Sequence, residues 1–154
     1  MPNIDLSLMD SSAKKAIQDM AYGEAAGSDS ETTKMVIQSA LSRYLSGRSD
    51  FSPKGGGTMA DLVKKGYYAV SNPNTPYKEA TSGKFANVKN KARHAEIGTQ
   101  LEAILGDKDY SKDNAQFYFT PEEEVKIRKQ GIKKFDFSKV KSKGKVGIYN
   151  TYSY

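Results

Sequence analysis

The segment DSSAKKAIQDMAYGEAAG, residues 10–27, decides the fold class. Asp10, Ser11 and Ser12 each offer an N-cap, and Ile17, Met20, Ala21 and Glu24 follow at steps of three, one and three, which puts all four on one face of a helix. Gly27 stops that helix, and the SDSE that follows reads as a capping box in which Ser28 caps and Glu31 reaches back. A second helix carries the stripe Met35, Ile37, Leu41, Tyr44 and Leu45 and ends at Gly47.

Working outward, SGRSDFSPKGGG at 46–57 suits a surface loop inside a domain; its glycines have neither Walker nor GxGxxG spacing and are assigned no phosphate. Thr58 caps a short helix bearing Met59, Leu62 and Val63, Gly66 ends it, and YYAVSNPNTP at 67–76 reads as turn-rich. From Phe85 to Leu105 the positions Phe85, Val88, Ala92, Ala95, Leu101, Ile104 and Leu105 keep helical spacing, with Gly106 as the stop and His94 expected to face solvent. QFYF at 116–119 predicts a short strand with Phe117 and Phe119 packed inward, and Thr120-Pro121-Glu122-Glu123-Glu124 opens a helix that ends near Gly131. KSKGK at 141–145 reads as a basic turn and VGIYNTYSY at 146–154 as a closing strand. The expectation is an α+β, mainly α-helical single domain over 1–154 with a small β-sheet.

Composition narrows the chemistry. A chain of 154 residues is long enough for one domain with a proper core. Without cysteine there is no disulfide, thiol nucleophile or thiolate metal site, and the lone His94 cannot build a multi-histidine centre, so no metal and no cofactor are expected. The net charge of +6 and a pI near 9.3 favour polyanionic partners: nucleic acid, acidic lipid or an anionic cell wall. Lys139, Lys141, Lys143 and Lys145 read as solubilising or edge-protecting in preference to a phosphate track. No apolar run spans a membrane, and MPNIDLSLMD lacks the marks of a secretory signal.

Glu24 is the leading candidate for chemistry. An acid on the apolar stripe of a helix is pushed toward low dielectric, which favours the protonated form and makes a general acid near neutral pH. The alternative places it at the edge of the stripe, solvated or paired with Arg43 or a lysine. Tyr67, Tyr68, Phe117, Tyr118 and Phe119 form the second candidate set, because phenol rings stack on sugar faces while their hydroxyls bond sugar edges.

Taken in order, these residues resemble the SleB/CwlJ-type cell wall hydrolases, spore-cortex-lytic enzymes with phage relatives. The YGEARGE-like motif corresponds to Tyr22-Gly23-Glu24-Ala25-Ala26-Gly27, and the helix end LNR to Leu41-Ser42-Arg43. A VIYQPGQFS-like segment corresponds to Leu62-Val63-Lys64-Lys65-Gly66-Tyr67-Tyr68, and ALYYYNP to Ala115-Gln116-Phe117-Tyr118-Phe119-Thr120-Pro121. The closing IGxHxFY strand corresponds loosely to Val146-Gly147-Ile148-Tyr149-Asn150-Thr151-Tyr152, so the resemblance runs over about residues 13–152. Ser28 stands where the family's second acidic residue would be, and Tyr149 or Asn150 where its histidine would be.

The resemblance implies a lysozyme-like, lytic transglycosylase-like domain that cuts peptidoglycan between N-acetylmuramic acid (MurNAc) and N-acetylglucosamine (GlcNAc), with Glu24 as the single acid and base. Tyr67, Tyr68, Ser71, Asn72, Gln116 and Tyr118 are the expected sugar-binding residues. A hydrolase would need a second carboxylate, for which Asp29 and Asp61 are the candidates. The implied setting is a phage lysin or virion-associated lysin acting on the bacterial wall, made in the host cytoplasm and delivered by a virion or through a holin pore, with other virion or lysis proteins as companions. The competing reading is a non-catalytic basic protein, binding nucleic acid or serving in a virion, on the same scaffold.

Overall fold

In the computed structural model, which describes residues 9–48, 50–51, 58–107 and 115–154, Asp10 caps the first helix by accepting the Ala13 N–H at 2.8 Å. That helix, α1 (Ser11–Ala25), packs against each of the next five: α2 (Ser30–Ser46), α3 (Met59–Gly66), α4 (Tyr68–Ser71), α5 (Thr75–Ser82) and α6 (Val88–Leu105). Being surrounded, it buries more than its expected stripe: Asp19, Tyr22, Gly23 and Ala25 are inside along with Ile17, Met20 and Ala21. The chain continues with β1 (Phe117–Phe119), α7 (Pro121–Lys129), a 3₁₀ turn at Phe137–Lys139, β2 (Lys141–Val146) and β3 (Tyr149–Ser153). The result is a mainly α-helical α+β fold with a three-stranded antiparallel sheet in the order β1-β3-β2. Among the described residues no helix is long and apolar enough to cross a membrane.

Local signals account for most boundaries. Thr58 and Asp61 form a reciprocal capping box on α3, and Thr120 caps α7 ahead of Pro121. The cap of α2 is Asp29, not Ser28: its carboxylate takes the Thr32 N–H at 2.8 Å, and Glu31 is left exposed. The segment expected to be turn-rich holds two short helices, because Asn74 accepts the Tyr77 N–H at 2.9 Å and Pro76 suits a first turn. Most of the expected 46–57 loop, including its three glycines, lies outside the described residues.

The start of α6 departs from the expected pattern. Asn87 caps it, so Phe85 precedes the helix, and Val88, Ala92 and Ala95 are exposed. The inward positions are Arg93, His94 and Ile97: Ile97 joins the apolar core, while Arg93 and His94 meet polar groups. Arg93 donates to the Ala26 and Ser28 carbonyls at 3.3 and 2.8 Å. His94 does not face solvent: its Nε2 lies 2.8 Å from the Oδ1 of buried Asp19, whose other oxygen pairs with Lys15, and its ring packs on Tyr22 and Phe85.

KSKGK is not a turn but most of β2; the turn is Gly147-Ile148, with the positive φ of 57° on glycine. Between the pairs Ser142↔Tyr152 and Gly144↔Thr151 the register slips by one, leaving Lys143 as a bulge. The slip places Lys141 on the face of Ser153 and Lys145 on the face of Asn150, so the lysines form no single comb along this edge. The sheet's other face carries Phe117, Phe119 and Tyr152, covered by Phe135 and Phe137 in edge-on contacts. Phe117 and Phe119 are thus packing residues as expected.

Gly23 is required for the crossing of α1 and α5. A Cβ there would stand 2.9 Å from Tyr77 Cβ and 3.2 Å from Ala69 Cβ, and Asn74 clips the two elements by donating to the Gly23 carbonyl at 2.8 Å. Gly23→Ala is expected to cost about 1–3 kcal/mol through overpacking, read as a lowered urea midpoint at unchanged slope.

Candidate active site

Glu24 sits half-buried in the last turn of α1, with Tyr22, Gly23 and Ala25 fully buried around it. Its Oε1 accepts the Ala69 N–H at 3.3 Å, and the Tyr68 N–H also donates to the carboxylate. Tyr67, at the N-cap position of α4, makes no capping bond of its own. Glu24 therefore supplies from another helix the acceptor that α4 lacks.

The carboxyl of Glu24 is raised above the ordinary value of 4.5. Burial is the largest cause, and the negative charge of Glu123 adds to it; the two N–H groups and the Arg43 charge oppose it without cancelling it. Among the described residues Glu24 makes no ion pair with Arg43 or a lysine, and it is half-buried at the edge of the apolar stripe. Arg43 acts on it through space while its own hydrogen bonds go elsewhere.

Arg43 is 8% exposed, and its Nε and Nη1 donate to the carbonyls of Gln116 and Gly66 at 2.7 and 3.1 Å. Its guanidinium lies 4.5 Å from the Tyr67 ring centroid and about as close to Phe117 and Phe51. One cation so joins α2 to the end of α3 and to the start of β1. The LSR sequence marked Arg43 as a helix end, but nothing local signalled a buried anchor.

The expected sugar-binding residues separate into two groups. Tyr118 pairs with Thr151 and so shares that strand's helix-side face; its ring meets Tyr149 edge-on at 5.4 Å. Burial, with Glu24 nearby, drives the Tyr118 phenol well above its usual value, and Tyr149 is raised for the same two reasons, with Glu123 adding to the effect. Tyr68 is 73% exposed beside the N–H groups that hold Glu24, and Asn72 steadies its hydroxyl at 2.6 Å. Ser71 turns its hydroxyl to the carbonyls of Tyr67 and Tyr68.

Tyr67 and Gln116 do not join this surface. Tyr67 is 2% exposed, its hydroxyl 2.6 Å from Ser39, so the ring is core and packs under Arg43. Gln116 is buried with its side-chain oxygen accepting the Tyr154 N–H at 3.0 Å, which ties two strand ends together. Asp29 and Asp61 are helix caps, each held below the usual carboxylate range by the backbone N–H it accepts. The second carboxylate that acts on Glu24 is Glu123, which the sequence presented only as part of an acidic helix start.

Among the described residues no three His, Cys, Asp or Glu side chains are grouped to hold a metal ion. No family model, curated protein or solved structure matches the chain.

Two outcomes test the site. Arg43→Met should lower stability by about 2–4 kcal/mol in urea unfolding, since it strands two carbonyls that the guanidinium satisfies. A raised carboxyl binds its proton more tightly folded than unfolded, so the Glu24 contribution is fully present at pH below 4.5 and is lost as pH rises through the folded value. Glu24→Gln, which keeps an acceptor for Ala69, should thus gain stability relative to wild type as pH rises from 4.5 to 8, followed by thermal melts across that range.

Proposed function

We propose that the chain is a peptidoglycan-degrading enzyme, a glycosidase of the lytic transglycosylase kind, that cuts between MurNAc and GlcNAc with Glu24 as acid and then base. The observation that supports this reading is the half-buried Glu24 carboxyl, raised above its ordinary value by burial, beside the exposed Tyr68 and the Tyr118–Tyr149 pair. A carboxyl that binds its proton more tightly than a free one is suited to protonating a glycosidic oxygen. Phenols that resist ionisation remain hydrogen-bond donors for sugar hydroxyl and acetamido groups.

The step needs one acid. Glu24 gives its proton to the bridging oxygen as the C1–O bond of MurNAc breaks. The C6 hydroxyl of that sugar then bonds to C1, closing a 1,6-anhydro ring, and its proton passes to the Glu24 carboxylate. No water is consumed, and the acid is regenerated. Tyr68, steadied by Asn72, suits a stacking surface for one sugar. The charge of +6 draws the protein to an anionic wall. Delivery by a virion or through the pore of another lysis protein is part of the same proposal.

A second reading is favoured by the Ala69 hydrogen bond: Glu24 as a purely structural acceptor for α4, in a basic protein that binds without cutting. Digestion of purified peptidoglycan by wild type and Glu24→Gln, with products weighed by mass spectrometry, separates the two. The enzyme reading expects anhydromuramoyl fragments from wild type and a loss of about 10²–10⁴-fold with glutamine, which holds the hydrogen bond but not the proton. Reducing-end products would mean hydrolysis. No release from several wall types, together with salt-sensitive retention on heparin or DNA, would leave the binding reading.

A further inference from the structure

The positive charge of this protein sits in one stretch. Between residues 126 and 145 stand nine lysines and arginines against one acid, Asp136, a net +8; the whole chain carries +6, so the other 134 residues are net −2. All nine cations are exposed. Arg128 pairs with Glu124 at 3.4 Å, and among the described residues none of the eight lysines makes an ion pair. Asp136 is occupied as a cap, accepting the Ser138 N–H at 3.0 Å and its hydroxyl at 2.6 Å.

The fold gathers this stretch into one layer on the face of the sheet that carries Phe119 and Tyr152. Phe135 and Phe137 seat it there, with ring centroids 5.3 Å from Phe119 and 5.4 Å from Tyr152, and the Arg128 guanidinium stands 3.9 Å from the Phe137 ring centroid. The end of α7 supplies three of the cations, the turn after it two, the 3₁₀ turn Lys139, and the outer strand β2 the last three. Lys145 shares the face that Phe135 and Phe137 cover, whereas Tyr118 and Tyr149 lie across the sheet from it.

The dipole of α7 asks for a cation or two in its last turn, and edge protection asks for a lysine on β2. Neither asks for nine beside a single acid. Eight of them are lysines, point charges that attract phosphate without reading its orientation. The aromatic rings of the stretch, Phe135 and Phe137, are half-buried in their sheet contacts, so the layer opens no ring for a base to stack on. Its chemistry fits a chain of phosphodiesters that carries no bases.

We propose that this layer is a docking surface for a linear polyol phosphate polymer of the bacterial wall, separate from the Glu24 site. The choice of a wall polymer rests on the reading of the protein as a wall-cutting enzyme; the phosphate surface itself does not.

The test is sedimentation in the cold with insoluble walls that carry polyol phosphate, either intact or stripped of it by hydrofluoric acid. Wild type is compared with a variant of the layer, Lys133→Gln, Lys134→Gln, Lys143→Gln and Lys145→Gln. A second variant removes the same charge elsewhere, by Lys78→Gln, Lys84→Gln, Lys89→Gln and Lys91→Gln. All eight side chains are exposed, and urea midpoints check that both variants fold. At about 0.15 M salt the layer variant should bind intact walls about 10–100-fold more weakly, with a log–log salt slope lower by about 2–3. It should match wild type on stripped walls, and the second variant should lose less than about threefold on intact ones. In wild type, soluble poly(glycerol phosphate) should move backbone amide NMR signals within 126–145 and leave those of α5 and α6 in place, which locates the surface without any substitution.

Equal losses in the two variants, retention of wild type undiminished by stripping, or amide shifts outside the layer each overturn the proposal. So does tighter binding, at equal phosphate, to DNA or to phosphatidylglycerol vesicles than to the polyol phosphate. The expected pattern in a protein that releases no glycan fragments upholds the surface and removes the enzyme reading; fragments released without that pattern do the reverse.

Discussion

A buried guanidinium organises this molecule. Arg43 reaches from α2 to the carbonyl of Gly66, where α3 gives way to Tyr67, and to the carbonyl of Gln116, where β1 begins. Neither carbonyl has a regular partner at these junctions, and a forked, permanently charged side chain serves both at once. The ring of Tyr67 lies against the cation, so the junction is held by face contact as well as by hydrogen bonds. Everything that touches Glu24 from the α4 side depends on it, because the Tyr68 and Ala69 N–H groups follow directly from that junction. Gly66 is part of the same arrangement: a Cβ there would collide with the guanidinium.

The surroundings of Glu24 are balanced rather than merely apolar. Burial and Glu123 favour the neutral acid, while two N–H groups and Arg43 favour the anion. A carboxyl poised in this way can release and recover a proton without large rearrangement, which a fully desolvated one could not. The cost is borne by the fold, since an acid with a raised midpoint weakens the native state where it ionises. Nearby phenols pushed upward by the same burial keep their protons over a wide range.

What could be read from the sequence was what short-range chemistry determines. Asp10, Thr58, Thr120-Pro121 and Gly47 act within one helical turn of themselves, and their elements lie where the pattern placed them. Glu24 stood out because an acid on an apolar stripe conflicts with its neighbours locally. The inward turn of Arg93 and His94 was not legible, because it depends on Asp19 and on carbonyls of another helix. β2 was hidden for a related reason: KSKGKV lacks strand-forming residues over most of its length and is a strand only because β3 pairs with it. Tyr67 and Gln116 looked like ligand-facing residues, and their burial follows from Arg43, whose reach no local pattern encodes. Glu123 was legible only as part of an acidic helix start, since its effect on Glu24 acts between elements far apart in the chain.

The position of β3 between β1 and β2 has a consequence in time. β1 has no strand to pair with until β3, the last element of the chain, is in place, although the contacts of α1 with α5 and α6 span still more of the chain. Tyr118 and Tyr149 face each other only after that pairing. The site is therefore completed only when the last strand docks: α1 and α4 hold Glu24 between them, and β3 brings Tyr149 to Tyr118.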